Sequence, residues 1–457
     1  MIKLSVKQFI VLACSVFMLS ACGITSPKMN KQLSAAPVGV KSFPKRSKDL
    51  TLILTFSGGG TRAAALSYGV LEELRDSRVK INNKNSRLLD EIDLISSVSG
   101  GSFTSAYYGL FGDRIFKDFE RKFLKRRVQT ELLRLSLFSP KAWIRLAPAL
   151  FERSDLAADY YHRTIFRKKT FADMREDAPR IVINATDLSL GRGFAFTDYH
   201  FSWICSNLNS FPVGRAVAAS SAVPVVFSPI ALRNYSGKNG CKYSPLARLN
   251  TKIADGDITE KRHNQTLSIQ KYNQGEQYKY LHLVDGGVSD NLGIRALLDM
   301  VAFNKKNMWQ TLKGFKLSET KQLDFLVVNA SSFANPSIPK NAVAPSTVKV
   351  IDATTTIQSN QYNVETLELL RSQFPLWKKQ VKQGRCKESP SRHCGDIEFS
   401  IIEVNLDDLK EDEREALLYV PTSFELPHDT VDKLKKAGHD LLKRSDEFQN
   451  LLKRYKE

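Results

Sequence analysis

The sequence is poor in the features that mark several large classes of protein. It contains only six cysteines and seven histidines among 457 residues, with no CxxC pair. A zinc site is therefore not indicated, although His393 beside Cys394 leaves that alternative open. We find no internal repeat, low-complexity tract or nucleic-acid-binding motif. These absences leave an ordinary globular protein, for which no metal or cofactor is expected.

Positive charge, by contrast, is abundant. The formal net charge is +19, while 42% of the residues are hydrophobic and 25% are charged. Such a composition supports a large core, and the charge admits nucleic acid or an anionic membrane surface as a partner. Because the N-terminal residues are predicted to form an export signal with a lipid anchor, the membrane is the favoured partner and no nucleic acid is expected. The oligomeric state stays open.

Residues 1–22 are predicted to be a lipoprotein signal peptide. Lys3 and Lys7 precede the apolar run FIVLACSVFML, which is too short to span a bilayer comfortably, and LSAC ends at Cys22. This order is similar to a bacterial lipobox, so Cys22 is predicted to be acylated; an ordinary signal peptide is the alternative. Gly23, by analogy with enteric lipoproteins, favours a lipid anchor in the outer membrane of the cell envelope, facing the periplasm.

The rest of the chain divides by composition. Residues 23–48 lack periodicity and are rich in Pro, Ser and Lys, so a flexible tether is predicted. A main domain follows over 49–335, with a polar surface insertion at 233–278. Residues 336–457 are predicted to be a C-terminal extension that packs on this domain or completes it.

The remaining cysteines indicate disulfides. With Cys22 acylated and the signal removed, four cysteines are left in an oxidising compartment. Cys386 and Cys394 bracket the turn-rich loop KESPSRH and are predicted to pair. Cys205 with Cys241 then follows by elimination.

Short β-branched and apolar runs recur between helix-like segments. They lie at 50–56, 92–98, 180–186, 279–285, 323–330 and 399–404. Runs that are apolar on both faces are typical of strands buried in a mainly parallel sheet with helices on both sides, so an α/β fold is predicted. The C-terminal stretch is predicted to be helical, with a break near Gly438.

Ser99 stands between one of these strands and a following helix, in SVSGG. A nucleophile elbow places a serine in a strained strand-to-helix turn, where small neighbours let the helix pack closely. The usual form is G-x-S-x-G, and here Ser97 replaces the first glycine. On this fragment alone, a simple bend or a helix cap is the alternative.

Three glycines follow the first strand, in SGGGTR. The backbone N–H groups of Gly58, Gly59 and Gly60 can form an anion cradle at a helix start. Phosphate binding is the alternative, but the P-loop lysine and the dinucleotide spacing are missing, so an oxyanion hole is favoured. Arg62 is predicted to support this loop or to neutralise a lipid phosphate; a structural ion pair is equally compatible.

Asp285 offers a base for Ser99, since no histidine has a convincing catalytic context. In LVDGGVSDNLG it ends a buried strand and precedes Gly286 and Gly287, so its carboxylate is expected at the same sheet edge as Ser99. A partly desolvated aspartate can take the serine proton directly. An ordinary Asp-Gly-Gly turn is the alternative.

Together and in this order, SGGGTR, SVSGG and DGGVSDNLG resemble the blocks of the patatin-like phospholipases. AVAASSAVPVVFSPI and INATDLSLGRGFAFT resemble two further blocks of that family. The resemblance implies a three-layer patatin-like hydrolase fold. It also implies Ser99 as nucleophile, Asp285 as general base, and Gly58, Gly59 and Gly60 as the oxyanion hole.

The resemblance extends from about residue 50 to residue 330, with Ser57, Ala63 and Ser97 as departures from the family pattern. It implies a lipid acyl hydrolase of the phospholipase A or lysophospholipase type, acting on membrane phospholipid through an acyl-enzyme and without a cofactor. An acyltransferase or a non-phospholipid esterase with the same dyad is one alternative. A catalytically silent lipid-binding scaffold is another.

Overall fold

Strands alternate with helices through most of the chain. The computed structural model describes residues 30–34, 46–138, 153–224, 226–236, 260–303, 307–332, 342, 344–388 and 394–455. The strands are β1 (Leu50–Phe56), β2 (Arg78–Ile81), β3 (Lys84–Arg87), β4 (Ile92–Val98), β5 (Arg180–Asp187), β6 (Arg192–Ala195), β7 (Ile230–Arg233), β8 (Tyr280–Asp285), β9 (Gln322–Asn329) and β10 (Glu398–Asn405).

The helices flank these strands in sequence. They are α1 (Gly60–Asp76), α2 (Gly100–Phe111), α3 (Ile115–Phe119), α4 (Val128–Phe138), α5 (Arg153–Tyr160), α6 (Asp198–Trp203), α7 (Val213–Ser220), α8 (Glu260–Asn273), α9 (Arg295–Phe303), α10 (Met308–Gly314), α11 (Thr347–Glu388), α12 (Glu411–Leu418), α13 (His428–Arg444) and α14 (Asp446–Arg454).

One mixed sheet organises the described residues. Its order is β10-β9-β1-β4-β5-β8-β7, with β6 also paired to β5. The five strands from β10 to β5 are parallel, whereas β6, β7 and β8 pair in antiparallel fashion. The predicted α/β class is therefore confirmed: the sheet is mostly parallel and helices flank it. The reversed direction of β8 is a difference that matters for the site.

Both faces of the sheet are covered, which explains the continuous apolar runs. Leu52 and Leu54 of β1 belong to a core with α1, α2 and α13, while Ile53 packs on the opposite core with α9, α10 and α11. Alternate side chains of a strand point to opposite faces, so each run must be apolar throughout. Burying each leucine contributes about 1.5–3 kcal/mol.

The C-terminal part of the chain joins the same sheet. Strand β10 pairs with β9 along its whole length, from Glu398 opposite Gln322 to Asn405 opposite Asn329. Helix α13 packs tightly on α1, since a Cβ on Gly438 would lie 2.2 Å from the carbonyl oxygen of Leu66. Gly438 thus permits close helix packing and does not break the helix.

Part of the predicted tether is docked on the folded body. Asn30 is buried, and its Nδ2 donates to Ser206 Oγ at 2.8 Å and to the carbonyl oxygen of Arg233 at 2.9 Å. The N–H of Leu33 donates to the carbonyl oxygen of Cys205 at 2.8 Å. Hydrogen bonds that composition cannot reveal therefore hold residues 30–34, which differ from a flexible linker.

The predicted polar insertion is likewise partly structured. Its residues 260–273 form α8, where Tyr272 is buried and donates its hydroxyl to Asp187 Oδ2 at 2.7 Å. Buried anchors such as Ile269 are too few to produce a visible helical periodicity, which is why the sequence did not predict α8. No helix of the described residues is both long and apolar enough to cross a bilayer.

Cys386 is joined to Cys394 by a disulfide bond. Cys205 is also disulfide-bonded. Its predicted partner Cys241 lies outside the described residues, as does Cys22, so that pairing and the acylation stay predictions.

Candidate active site

Ser99 occupies a strained turn between β4 and α2. Its backbone has φ 48° and ψ −118°, a conformation that non-glycine residues rarely adopt. Gly100 lets this turn approach the glycine loop, because a Cβ there would lie 1.9 Å from the carbonyl oxygen of Gly60. Ser97 is accommodated by a hydrogen bond of 2.6 Å to Ser105 Oγ. The turn therefore has the geometry of a nucleophile elbow despite the missing first glycine.

Ser220, at the end of α7, supports the strained backbone of Ser99. The N–H of Ser99 donates to Ser220 Oγ at 2.8 Å, and that hydroxyl donates to the carbonyl oxygen of Asn184 at 2.6 Å. Two residues later, the carbonyl oxygen of Ala222 accepts the N–H of Asp285 at 2.9 Å. One short segment thus holds the backbones of both Ser99 and Asp285.

Asp285 lies at the end of a strand that runs antiparallel to its neighbour, although a mainly parallel sheet was predicted. In the parallel pair, Val98 of β4 lies opposite Asn184 of β5. In the antiparallel pair, Asp285 of β8 lies opposite Ala185, the next residue of β5. Strand β8 therefore ends beside the carboxyl end of β4 because it runs against β5. Asp285 and Ser99 therefore lie at the same sheet edge, as expected, on strands that run in opposite directions.

The Asp285 carboxyl is poised to accept a proton. The group is only 7% exposed, and burial raises its pKa to about 6. The N–H of Gly287, which donates to Oδ1 at 2.8 Å, and the neighbouring hydroxyl of Ser99 partly offset that rise in pKa. Near neutral pH the group is mostly ionised yet more basic than an exposed aspartate.

The glycine loop offers two of its three predicted donors. The N–H of Gly58 donates to the carbonyl oxygen of Asn291 at 3.1 Å, so it is not available to a substrate. The N–H groups of Gly59 and Gly60 have no acceptor within the described part of the chain. Of the three predicted oxyanion donors, Gly58 is therefore excluded, and the N–H groups of Gly59 and Gly60 remain as candidates. The reason is a contact with a loop 233 positions away, which local sequence cannot show.

Arg62 is directed away from solvent. It is 2% exposed, and its guanidinium donates to the carbonyl oxygens of Ala330, at 2.9 Å, and of Val420. These contacts tie the end of β9 and a C-terminal segment to the start of α1. Of its predicted roles, Arg62 is placed for loop support, since a buried guanidinium that is bonded to carbonyls has little access to a lipid phosphate.

The same C-terminal segment contacts the glycine loop directly. The carbonyl oxygen of Ser423 accepts the N–H of Thr61 at 2.8 Å. Gly60 has φ +60°, and a Cβ there would lie 2.4 Å from that oxygen. Glycine is therefore required for both reasons, and the chain beyond residue 400 shapes the candidate site.

Ser220, Asn291 and Ser423 were not predicted as site residues. The first two lie in blocks that the sequence singles out, AVAASSAVPVVFSPI and DGGVSDNLG, so proximity to those motifs was the available signal. Ser423 contributes only a backbone carbonyl, which no pattern of side chains could reveal.

The described residues give no sign of a metal site or of a catalytic histidine near Ser99. They contain no group of three or more His, Cys, Asp and Glu side chains that could hold a metal ion. His200 is partly buried; desolvation lowers its pKa to about 3, and its Nδ1 lies 3.0 Å from Thr197 Oγ1. The arrangement at Ser99 is thus a serine beside a buried aspartate.

Taken together, the fold and this site define an α/β protein with a serine elbow and an aspartate at the same sheet edge. The profile of the patatin-like phospholipase family matches residues 54–298, more than half of the chain. The chain therefore belongs to the patatin-like phospholipase family. Among curated proteins, none matches it.

Two solved structures are similar at low identity. Human GIVD cytosolic phospholipase A2 is 12% identical with a TM-score of 0.42, and the match covers 89% of this chain and 62% of that one. VipD from Legionella pneumophila is 12% identical with a TM-score of 0.31, covering 96% and 73% respectively. This chain thus spans under two thirds of the phospholipase A2.

Proposed function

We propose that the protein is a lipid acyl hydrolase of the phospholipase A or lysophospholipase type, with Ser99 as nucleophile and Asp285 as general base. One observation carries this proposal. Ser99 lies in a strained turn and close enough to the buried Asp285 carboxyl to lower its pKa, which burial raises to about 6, within a member of the patatin-like phospholipase family. A base with a pKa close to the working pH is efficient in general-base catalysis.

Acylation follows from these positions. As Ser99 Oγ attacks the acyl carbonyl carbon, its proton passes to Asp285 and the C=O electron pair becomes an oxyanion. The N–H groups of Gly59 and Gly60 face that charge, aided by the positive end of α2, which begins directly after Ser99. When the intermediate collapses, the ester C–O bond breaks and protonated Asp285 gives its proton to the leaving alcohol.

Deacylation repeats the sequence with water. Asp285 accepts a proton from water as the water oxygen attacks the acyl carbon of the Ser99 ester. Collapse releases the fatty acid and returns the proton to Ser99 Oγ. Each step uses only groups that this chain supplies.

Reaction with a fluorophosphonate probe tests the proposal. We expect the wild-type protein to be labelled at Ser99 and Ser99→Ala to be unlabelled. Ser221→Ala should be labelled normally, since the Ser221 hydroxyl donates to the carbonyl oxygen of Val217 in the preceding helix α7. Folded wild-type protein that resists labelling, or labelled Ser99→Ala, would overturn it. Mass spectrometry of phospholipid products then separates hydrolysis, which releases free fatty acid, from transfer of the acyl group to another lipid.

The anchor is a separate proposal. The lipobox-like LSAC and the net charge of +19 support acylation of Cys22 and attachment to an anionic membrane of the cell envelope, at the outer membrane facing the periplasm. Cys22→Ala should release the protein from membranes. A variant that still fractionates wholly with membranes in high salt would contradict the lipid anchor.

A further inference from the structure

The loop that follows Asp285 brings an uncommitted carboxamide to the reacting groups. Asn291 belongs to the turn between β8 and α9, and this turn is held by Asp290. The carboxyl of Asp290 accepts the N–H of Gly293 at 3.1 Å and the N–H of Arg295 at 2.7 Å. Asp290 is buried, so the turn is built around an internal carboxyl and Asn291 is presented from a fixed support.

Asn291 contacts the glycine loop through its backbone and its side chain. Its carbonyl oxygen accepts the N–H of Gly58, the donor that the oxyanion hole loses. Its Oδ1 lies 2.6 Å from the point where a Cβ on Gly58 would be, and Ser99 Cβ lies 3.3 Å from that same point. The carboxamide and the Ser99 side chain therefore flank one small space beside Gly58.

The carboxamide also borders the base. A Cβ on Gly287 would lie 3.1 Å from Asn291 Oδ1 and 3.1 Å from Asp285 Oδ1. Asn291 is half-buried, and its carboxamide makes no hydrogen bond to any residue that the structure describes. A half-buried amide beside both Ser99 and Asp285 without a protein partner is suited to a partner that comes with the substrate.

We propose that Asn291 is a further catalytic residue, whose Nδ2 donates to the oxyanion in place of the committed N–H of Gly58. This inference rests on the proposed function. Rotation of the carboxamide by 180° exchanges its oxygen and nitrogen, so Nδ2 can take the position beside Gly58 and Ser99. With Gly59 and Gly60 the oxyanion then has three donors, of which two are backbone groups and one is a side chain.

The chemistry favours a donor over a structural role for this side chain. The backbone carbonyl of Asn291 makes the contact that shapes the loop, and any residue at this position retains it. The side chain can therefore change without loss of that hydrogen bond. Removal of one preorganised oxyanion donor typically lowers kcat about 10²–10³-fold.

The test compares Asn291→Ala and Asn291→Asp with the wild-type protein in hydrolysis of a monomeric acyl ester. Asn291→Ala should lower kcat about 10²–10³-fold with little change in KM, and fluorophosphonate labelling of Ser99 should slow in parallel. Asn291→Asp keeps the shape of the side chain but cannot donate a hydrogen bond when it is ionised. Its kcat should therefore be no higher than that of Asn291→Ala. The acidic limb of the pH–rate profile of Asn291→Asp should also move to higher pH, because a second carboxylate raises the pKa of Asp285.

Asn360→Ala is the matched control: the Asn360 Nδ2 already donates to the carbonyl oxygen of Ser332, and kcat should stay at the wild-type value. A folded Asn291→Ala variant within about threefold of wild-type kcat, or full activity in Asn291→Asp, would overturn the donor role. In either case, wild-type protein that the fluorophosphonate probe labels at Ser99 still supports the proposed function. Wild-type protein that is neither labelled nor active refutes the proposed function itself.

Discussion

The two parts of the sheet contribute to the candidate site in different ways. The parallel part supplies the glycine loop after β1 and Ser99 after β4, both at the carboxyl ends of their strands. The antiparallel part supplies Asp285, at the end of a strand that runs the other way. The proposed nucleophile and the proposed base therefore belong to strand pairings of opposite direction that meet beside β5. A reversed strand can deliver its last residue to the same point as a parallel one, provided that it stops at the right register.

The largest expected effect comes from removing either member of the pair. Ser99→Ala should lower kcat about 10⁴-fold or more, and Asp285→Asn about 10²–10⁴-fold, because one loses the attacking atom and the other the proton acceptor. If the two parts of the sheet act as one unit, the double variant should be little worse than Ser99→Ala. Steady-state hydrolysis of an acyl ester measures all three.

The control for this prediction lies on the same antiparallel strand. His282 is exposed on β8, three residues before Asp285, and His282→Gln should retain activity. If replacement of a histidine abolished activity in a folded protein while Asp285→Asn did not, a triad would replace the dyad.

The next largest effect on kcat is expected from a substitution in the glycine loop, which belongs to the parallel part of the sheet. Gly60→Ala places a Cβ 2.4 Å from the carbonyl oxygen of Ser423 at a residue with φ +60°, so the loop must shift. We expect kcat to fall about 10²-fold, as for loss of an oxyanion donor. Gly191→Ala has nearly the same φ, +61°, but no atom within 4 Å. It should cost about 1 kcal/mol of stability and leave kcat unchanged; equal kcat in both variants would show that the C-terminal contact does not shape the site.

A smaller effect is expected where the two parts are joined. Ser220→Ala removes the hydroxyl that accepts the N–H of Ser99 and leaves the strained backbone of Ser99 with less support. Loss of one such buried hydrogen bond costs about 1–2 kcal/mol, so kcat should fall about tenfold. The matched variant is Ser221→Ala, one residue further on. If both serine variants had wild-type kcat at unchanged melting temperature, the hydrogen bond between Ser220 and Ser99 would be irrelevant to catalysis.

The dependence of kcat/KM on pH tests the contribution of Asp285, the residue that the antiparallel part of the sheet supplies. Asp285 must be ionised to accept a proton, so with a pKa raised to about 6 by burial, kcat/KM should rise with pH and level off above about 7. At pH 5 it should be about one tenth of the plateau value. A profile that stays flat from pH 5 to pH 8 would contradict Asp285 as the base.

The same pKa predicts an effect of opposite sign on stability. The carboxyl has an ordinary pKa of 3.8 and a folded pKa of about 6, so its favourable contribution is present below pH 4 and is lost as pH rises through about 6. Asp285→Asn should therefore stabilise the fold by about 1–3 kcal/mol at pH 8 and by little at pH 4. Chemical denaturation of both proteins at pH 4 and pH 8 measures the difference in their free energies of unfolding. A variant less stable than wild-type protein at pH 8 would contradict this prediction.

Sequence by itself determined the class of fold and the outline of the site. Six strands lie within one or two residues of the predicted runs, because strands buried on both faces must be continuously apolar. Ser99 and the glycine loop could be predicted because their chemistry is local. A strained serine turn and a cradle of N–H groups both need small residues next to each other in the chain.

Tertiary structure alone decided which groups are free to act. The direction of β8, the hydrogen bond from Gly58 to Asn291, and the burial of Arg62 against Ala330 all depend on residues far apart in the chain. The same holds for Ser220, which reaches Ser99 across 121 positions. A hydrogen-bond donor looks identical in sequence whether it is open or occupied, since its partner is chosen by packing over long distances. For that reason the motifs predicted where the site lies, and the fold determined which of their atoms can do chemistry.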